Sequence, residues 1–162
     1  MIPYSRQYID SNDIKHVVKT LKSKLITQGP IIEKFEKLIC KFVGAKYAVA
    51  VSSCSAGLHI AAMAGKLNKT KKLLTSPNSF CSTANAGIHC SAKVDFADIN
   101  IETGNISLIN LKQKMRKNKY KMLIPVHFAG LPVDMKHLKK ITPKKTIIIE
   151  DAAHALGANY KD

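Results

Sequence analysis

A chain of 162 residues that is 46% hydrophobic can bury one domain's core, which excludes a disordered or low-complexity polypeptide. Its 26 Lys and Arg against 11 Asp and Glu leave a net charge of +15, but five Tyr, five Phe and no Trp offer little to stack on bases. The excess is read first as a solvated lysine-rich surface, next as attraction for anionic substrates such as nucleotide sugars, and last as nucleic-acid binding, so no nucleic-acid partner is expected.

In chain order, residues 1–6 carry no signal-peptide pattern. No apolar run approaches the roughly 20 residues needed to span a bilayer, so a cytoplasmic protein without a membrane partner is expected. Ile14, Val17, Val18 and Leu21 recur at helical spacing behind a cap at Ser11 or Asn12. The stretch 26–30 breaks that helix. Pro30 suits the first turn of a second helix, whose apolar face is Phe35, Leu38, Ile39 and Phe42 and whose C′ residue is Gly44. Cys40 falls on this helix as a core residue.

Residues 47–51 (Tyr-Ala-Val-Ala-Val) predict a short buried strand, and 55–64 a helix dense in small side chains. Further strands are predicted at 73–75, 93–97, 122–126 and 146–149, and helices at 80–90, around Leu108, Leu111 and Met115, and at 135–138. Thr103, Gly104 and Asn105 form a turn before the basic helix. Lys15, Lys19, Lys22 and Lys24 spread along a helical face, and Lys69, Lys71 and Lys72 sit in a turn. Strands alternating with helices give an α/β fold with a mostly parallel sheet. Cys40, Cys54, Cys81 and Cys90 show no CxxC or zinc spacing, so free thiols and no metal are expected.

Three places carry candidate chemistry. Ser52-Ser53-Cys54-Ser55-Ala56-Gly57 follows an apolar run and opens a helix, so free amides and the hydroxyls of Ser53 and Ser55 can bind an anion; a plain serine N-cap is the alternative. Cys54 is a small loop filler there rather than a nucleophile. Phe80, just after a strand–turn, can stack on a flat ring or simply fill the core. Glu150 and Asp151 end a β-branched run, which delivers an acid to the carboxyl end of a buried strand, where open α/β sheets place ligands. A carboxylate there can keep a heterocyclic nitrogen protonated, or merely cap a helix. His154 shares a face with Asp151 if a helix starts there, and His127 is structural or substrate-facing.

The order phosphate loop, aromatic, strand-end aspartate resembles that of pyridoxal phosphate (PLP) enzymes of aspartate aminotransferase type. Residues 26–30, 43–53, 98–106, 125–135 and 150–158 together resemble the amino-terminal part of the DegT/DnrJ/EryC1/StrS sugar aminotransferases. The resemblance implies the incomplete large domain of the fold-type I PLP fold across 1–162. Its implied cofactor contacts are Ser55 and Ala56 at the phosphate, Phe80 on the ring, Asp151 at the pyridine nitrogen and His154 near the phenolic oxygen. Thr27, Gln28 and Gly29 fall on the substrate side. Ser55 stands where threonine is common, and Cys54 where glycine is.

Residues 4–7, 75–80 and 90–96 lean toward the branch of the family serving pseudaminic acid biosynthesis. That branch aminates a UDP-linked 4-keto-6-deoxy-N-acetyl hexosamine, with glutamate as the implied donor and a homodimer as the working form. The Schiff-base lysine and carboxy-terminal domain are expected beyond residue 162, leaving these residues alone inactive and poorly soluble. A family relative acting as a sugar dehydratase, with histidine replacing that lysine, and a noncatalytic or split-subunit cofactor-binding module stay open as alternatives.

Overall fold

The computed structural model describes residues 6–159, so the predictions that touch 1–5 and 160–162 lie outside the described residues. The chain falls into two compact units, 1–50 and 51–162.

The first unit holds two amphipathic helices, α1 (Ser11–Leu21) and α2 (Pro30–Val43), neither of which has a fully buried residue. The cap of α1 is Asp10, not Ser11 or Asn12. Its carboxylate accepts the Asn12 and Asp13 amides at 2.7 and 3.0 Å, while the Asp13 carboxylate reaches back to the Asp10 amide, a reciprocal pairing that a serine at 11 could not make. Lys22 and Lys24 fall beyond the end of α1. Gly29 precedes α2, Pro30 occupies its first turn, and Gly44 ends it at φ 69°. Cys40 is only partly buried on α2.

Residues 47–51 are not a buried strand. They pair with no strand among the described residues, and Tyr47 is 78% exposed. The run has the composition of a strand, but a strand exists only where a neighbour completes its hydrogen-bond ladder. Here the Ala50 amide donates to the Glu36 Oε1 instead, at 2.8 Å.

The second unit is a three-layer α/β sandwich. Its elements are α3 (Cys54–Ala64), β1 (Lys72–Thr75), α4 (Ser82–His89), β2 (Lys93–Phe96), α5 (Leu108–Lys117), β3 (Met122–Ile124), α6 (Met135–Ile141) and β4 (Ile147–Ile148), with a 3₁₀ turn at Phe128–Gly130. The strands lie in the order β2-β1-β3-β4, all parallel. Successive side chains on a strand point to opposite faces. Leu73 therefore packs with Leu58, Ala62, Ala86, Met122 and Ile124 on the α3–α4 side, while Leu74 joins Leu111, Met115, Leu123 and Leu138 on the α5–α6 side. Lys72, placed by its sequence in a turn, begins β1 and donates to the Asn118 side chain at 2.8 Å.

Past the carboxyl ends of β3 and β4 the ladder continues by one bridge. Asp151 N–H donates to the Pro125 carbonyl at 2.9 Å, and His127 N–H to the Asp151 carbonyl at 3.0 Å. This bridge aligns Asp151 with Val126 at the sheet's carboxyl edge. Among the described residues no helix follows; residues 152–158 are successive turns, with Gly157 at φ 81°. Asp151 is thus not a helix cap, and His154 is placed by turn geometry rather than by a helical face.

Candidate functional site

A cavity of about 350 Å³ opens at this carboxyl edge, within the range of roughly 300–1,000 Å³ that small-molecule sites occupy. Four segments build it: the start of α3 gives Cys54 and Ser55, the β1–α4 connection gives Ser79 and Phe80, the segment after β3 gives His127 and Phe128, and the turns after β4 give Asp151 and His154. Ser55, Phe80 and the neighbours Asp151 and His154, from three distant parts of the sequence, thus meet at one cavity. Ala56 does not line it. Thr27, Gln28 and Gly29 belong to the first unit, where Gln28 has φ 55° and Gly29 leads into α2.

Asp151 is 6% exposed and has no cationic partner among the described residues. One of its oxygens is strongly held: Oδ2 accepts the Thr83 hydroxyl at 2.7 Å. The other is weakly held, with the Ala153 amide at 3.3 Å and the Cys54 thiol at 3.8 Å. Burying a carboxylate is costly unless it is paired and hydrogen-bonded, so Oδ1 is suited to a charged N–H donor from a ligand. Cys54 is exposed as a residue, but desolvation of its sulfur and the Asp151 charge push its thiol up from its ordinary value, which keeps it a neutral donor.

At the start of α3, Ser53 accepts the Ala56 amide on its own Oγ at 3.2 Å, so the serine N-cap is real. One such cap cannot satisfy every first-turn amide, and the positive end of the helix remains beside Ser55. Phe80, also lining the cavity, is 74% exposed, far from the core-filling role open to it on sequence grounds.

His127 is 6% exposed and its tautomer follows from its partners. The Val133 amide donates to its Nδ1 at 3.0 Å, so Nε2 carries the proton and donates to Glu150 Oε2 at 3.1 Å. That hydrogen bond, working against burial, holds the Glu150 carboxyl below its ordinary value. The neighbouring 3₁₀ turn is clamped by Asn105, whose Oδ1 accepts the Phe128 amide at 2.8 Å while its Nδ2 donates to the Leu131 carbonyl at 2.9 Å.

Thr83, Ser79 and Asn105 carry no local signal in the sequence that marks them for this site. Each matters through a partner at least 23 residues away, except for the Ser79–Thr83 contact within one turn. No lysine lines the cavity among the described residues.

A weakly held oxygen on a buried carboxylate, an exposed aromatic face and a helix N-terminus suit a flat ligand with a protonated ring nitrogen and an anionic group. That donor set fits PLP. The parallel sheet flanked by helices has the fold-type I PLP-dependent architecture. The chain belongs to the DegT/DnrJ/EryC1/StrS aminotransferase family, whose model matches residues 7–162.

Among curated relatives, it is 40% identical over 161 residues to the spore coat polysaccharide biosynthesis protein SpsC of Bacillus subtilis, covering 99% of this chain and 41% of SpsC. It is 38% identical over 164 residues to the UDP-4-amino-4,6-dideoxy-N-acetyl-beta-L-altrosamine transaminase of Campylobacter jejuni, covering 99% of this chain and 43% of that one. Its structure is similar to a GDP-4-keto-6-deoxymannose-3-dehydratase solved with a trapped PLP-glutamate geminal diamine. The TM-score is 0.90 at 26% identity, with 99% of this chain and 43% of the other covered. The chain therefore spans about two fifths of the length of the relatives it matches.

Among the described residues, no helix is long and apolar enough to cross a membrane.

Proposed function

We propose that these residues form part of the cofactor site of a PLP-dependent aminotransferase acting on a nucleotide-linked keto sugar. The observation that carries the reading is the buried Asp151 carboxylate, without a cationic partner among the described residues, in a cavity also lined by an exposed Phe80. When bound, PLP supplies an electron sink for moving an amino group from donor to acceptor.

In this reading Asp151 holds a proton on the ring nitrogen, because an adjacent carboxylate favours the charged form. Phe80 lies against the ring face. Ser55 and the α3 terminus bind the phosphate, with Ala56 contributing its place in the first turn. His154 stands near the phenolic oxygen. Thr27, Gln28 and Gly29 are assigned to the sugar side on the family resemblance alone. On the family resemblance a lysine carries the proton transfers; none lines the cavity among the described residues.

The substrate assigned is a UDP-4-keto-6-deoxy-N-acetyl hexosamine, with glutamate as amino donor, for surface polysaccharide or flagellin glycan synthesis. The likeness to the altrosamine transaminase supports that choice. The working form proposed is a cytoplasmic homodimer. The test uses the complete gene product with this sugar and ¹⁵N-glutamate. Label should enter the sugar as an amine, and Asp151→Ala should nearly abolish that transfer; near-normal turnover in the variant would sink the assignment.

The likeness to the dehydratase favours sugar dehydration as a second reading. The same assay separates the two, because a dehydratase yields a sugar that has lost a hydroxyl and gained no nitrogen.

A further inference from the structure

We propose that Ser79 and Thr83 form a directed hydroxyl relay that positions Asp151 for the cofactor, leaving Oδ1 as the oxygen that meets the ring N–H. The inference rests on the reading of Asp151 as the ring-nitrogen partner.

The direction of the relay follows from proton counting. An ionised carboxylate only accepts, so the Thr83 hydroxyl spends its single proton on Asp151 Oδ2 at 2.7 Å. The Ser79 and Thr83 oxygens lie 2.5 Å apart, and Ser79 must then be the donor. Both dipoles point at the carboxylate, and each strengthens the next. Thr83 is fully buried in the first turn of α4 and does not line the cavity, so it acts only through Asp151. Ser79 is half-buried and faces both the cavity and Thr83. The Thr83 amide also donates to the Phe80 carbonyl at 3.2 Å, so one turn of chain ties the aromatic wall to the relay.

Holding Oδ2 fixes the plane of the carboxylate. Oδ1 keeps only the long Ala153 and Cys54 contacts, which a charged donor readily outcompetes. Thr83 is thus a positioning residue, and Ser79 supports it. The titratable groups around this carboxylate are Cys54 from α3, His127 and His154 on the cavity wall, and the adjacent Glu150; none of them contacts Oδ2 among the described residues.

The test uses the complete holoenzyme with ¹⁵N-labelled PLP, following the ring-nitrogen NMR shift against pH and the PLP dissociation constant. Thr83→Val, isosteric but without the hydroxyl, should lower the pH at which the ring nitrogen loses its proton by about one unit and weaken PLP about tenfold. Thr83→Ser should restore both, and Ser79→Ala should shift both in the same direction by less. Should Thr83→Val fail to fold, Ser79→Ala decides alone.

Unchanged ring titration and PLP affinity in the folded variants would overturn the relay. Asp151→Asn separates the levels of the argument. If it moves the ring titration and the relay variants do not, only the relay fails. If it moves nothing, or the wild type takes up no PLP, the reading of Asp151 fails.

Discussion

Gly87 is the position where adding one methyl group tests the packing that supports the site. It sits on α4 one helical turn after Thr83, so both face the sheet. A Cβ at Gly87 would lie 2.7 Å from Val94 Cγ2 and 3.4 Å from Leu73 Cβ. Carbon pairs pack comfortably at about 3.5–4.0 Å, so roughly 1 Å must be found. Val94 cannot supply it cheaply, because its methyl branches directly from Cβ and its χ1 is stiff.

Two terms then oppose each other. Alanine gains about 1 kcal/mol over glycine in a helix interior, while overpacking a core costs about 1–3 kcal/mol. We expect Gly87→Ala to destabilise the protein by about 1 kcal/mol net in guanidinium unfolding. Val94→Ala removes the clashing methyl, so Gly87→Ala should then show the full helix gain, giving a coupling of about 2 kcal/mol in the double-mutant cycle. Because relief by lifting α4 would draw Thr83 from Asp151, PLP affinity should fall with it. A Gly87→Ala protein stabilised by the full helix gain, with no coupling to Val94, would refute the close-approach argument.

Gly130 has φ 86°, and a Cβ there would meet the His154 carbonyl oxygen at 2.9 Å. Gly130→Ala should cost about 1–2 kcal/mol from backbone strain alone and loosen PLP by displacing His154, as read by urea unfolding and cofactor dialysis. Asn105→Ala removes both arms of the clamp on the 3₁₀ turn and should cost about 1–3 kcal/mol, with faster amide exchange at Phe128 as its local signature. Acid sensitivity should centre partly on Asp95, which burial pushes up but which its bonds from Lys114, Tyr120 and the Phe96 amide together bring below its ordinary value of 3.8. A depressed folded-state value contributes stability that is complete above the unfolded value and disappears as pH falls through the folded one. Melting temperature should therefore hold down to about pH 4 and drop below it, and Asp95→Asn should flatten that drop. An identical acid limb in Asp95→Asn would rule out its share.

The element order was legible because its signals are local. Leu73 and Leu74 alternate into two different cores, Gly44 ends α2 in the left-handed region, and the run before Asp151 brings a carboxylate to the sheet's carboxyl edge. Periodicity of 3.6 or 2, a residue free to adopt positive φ, and an acid at a strand end are all written within a few residues of chain. Phe80 likewise follows a strand–turn, on the β1–α4 connection, and Ser55 falls in the first turn of α3.

Tertiary structure alone decided the rest. Residues 47–51 have the composition of a strand, but strand identity depends on a neighbour that composition cannot supply. His154 was argued from helical spacing and reached the cavity through turns instead. Thr83 is a buried hydroxyl among small helical residues, with nothing nearby in sequence to mark it. Its role is set by a carboxylate 68 positions away, and only the close packing of α4 on the sheet brings the two together.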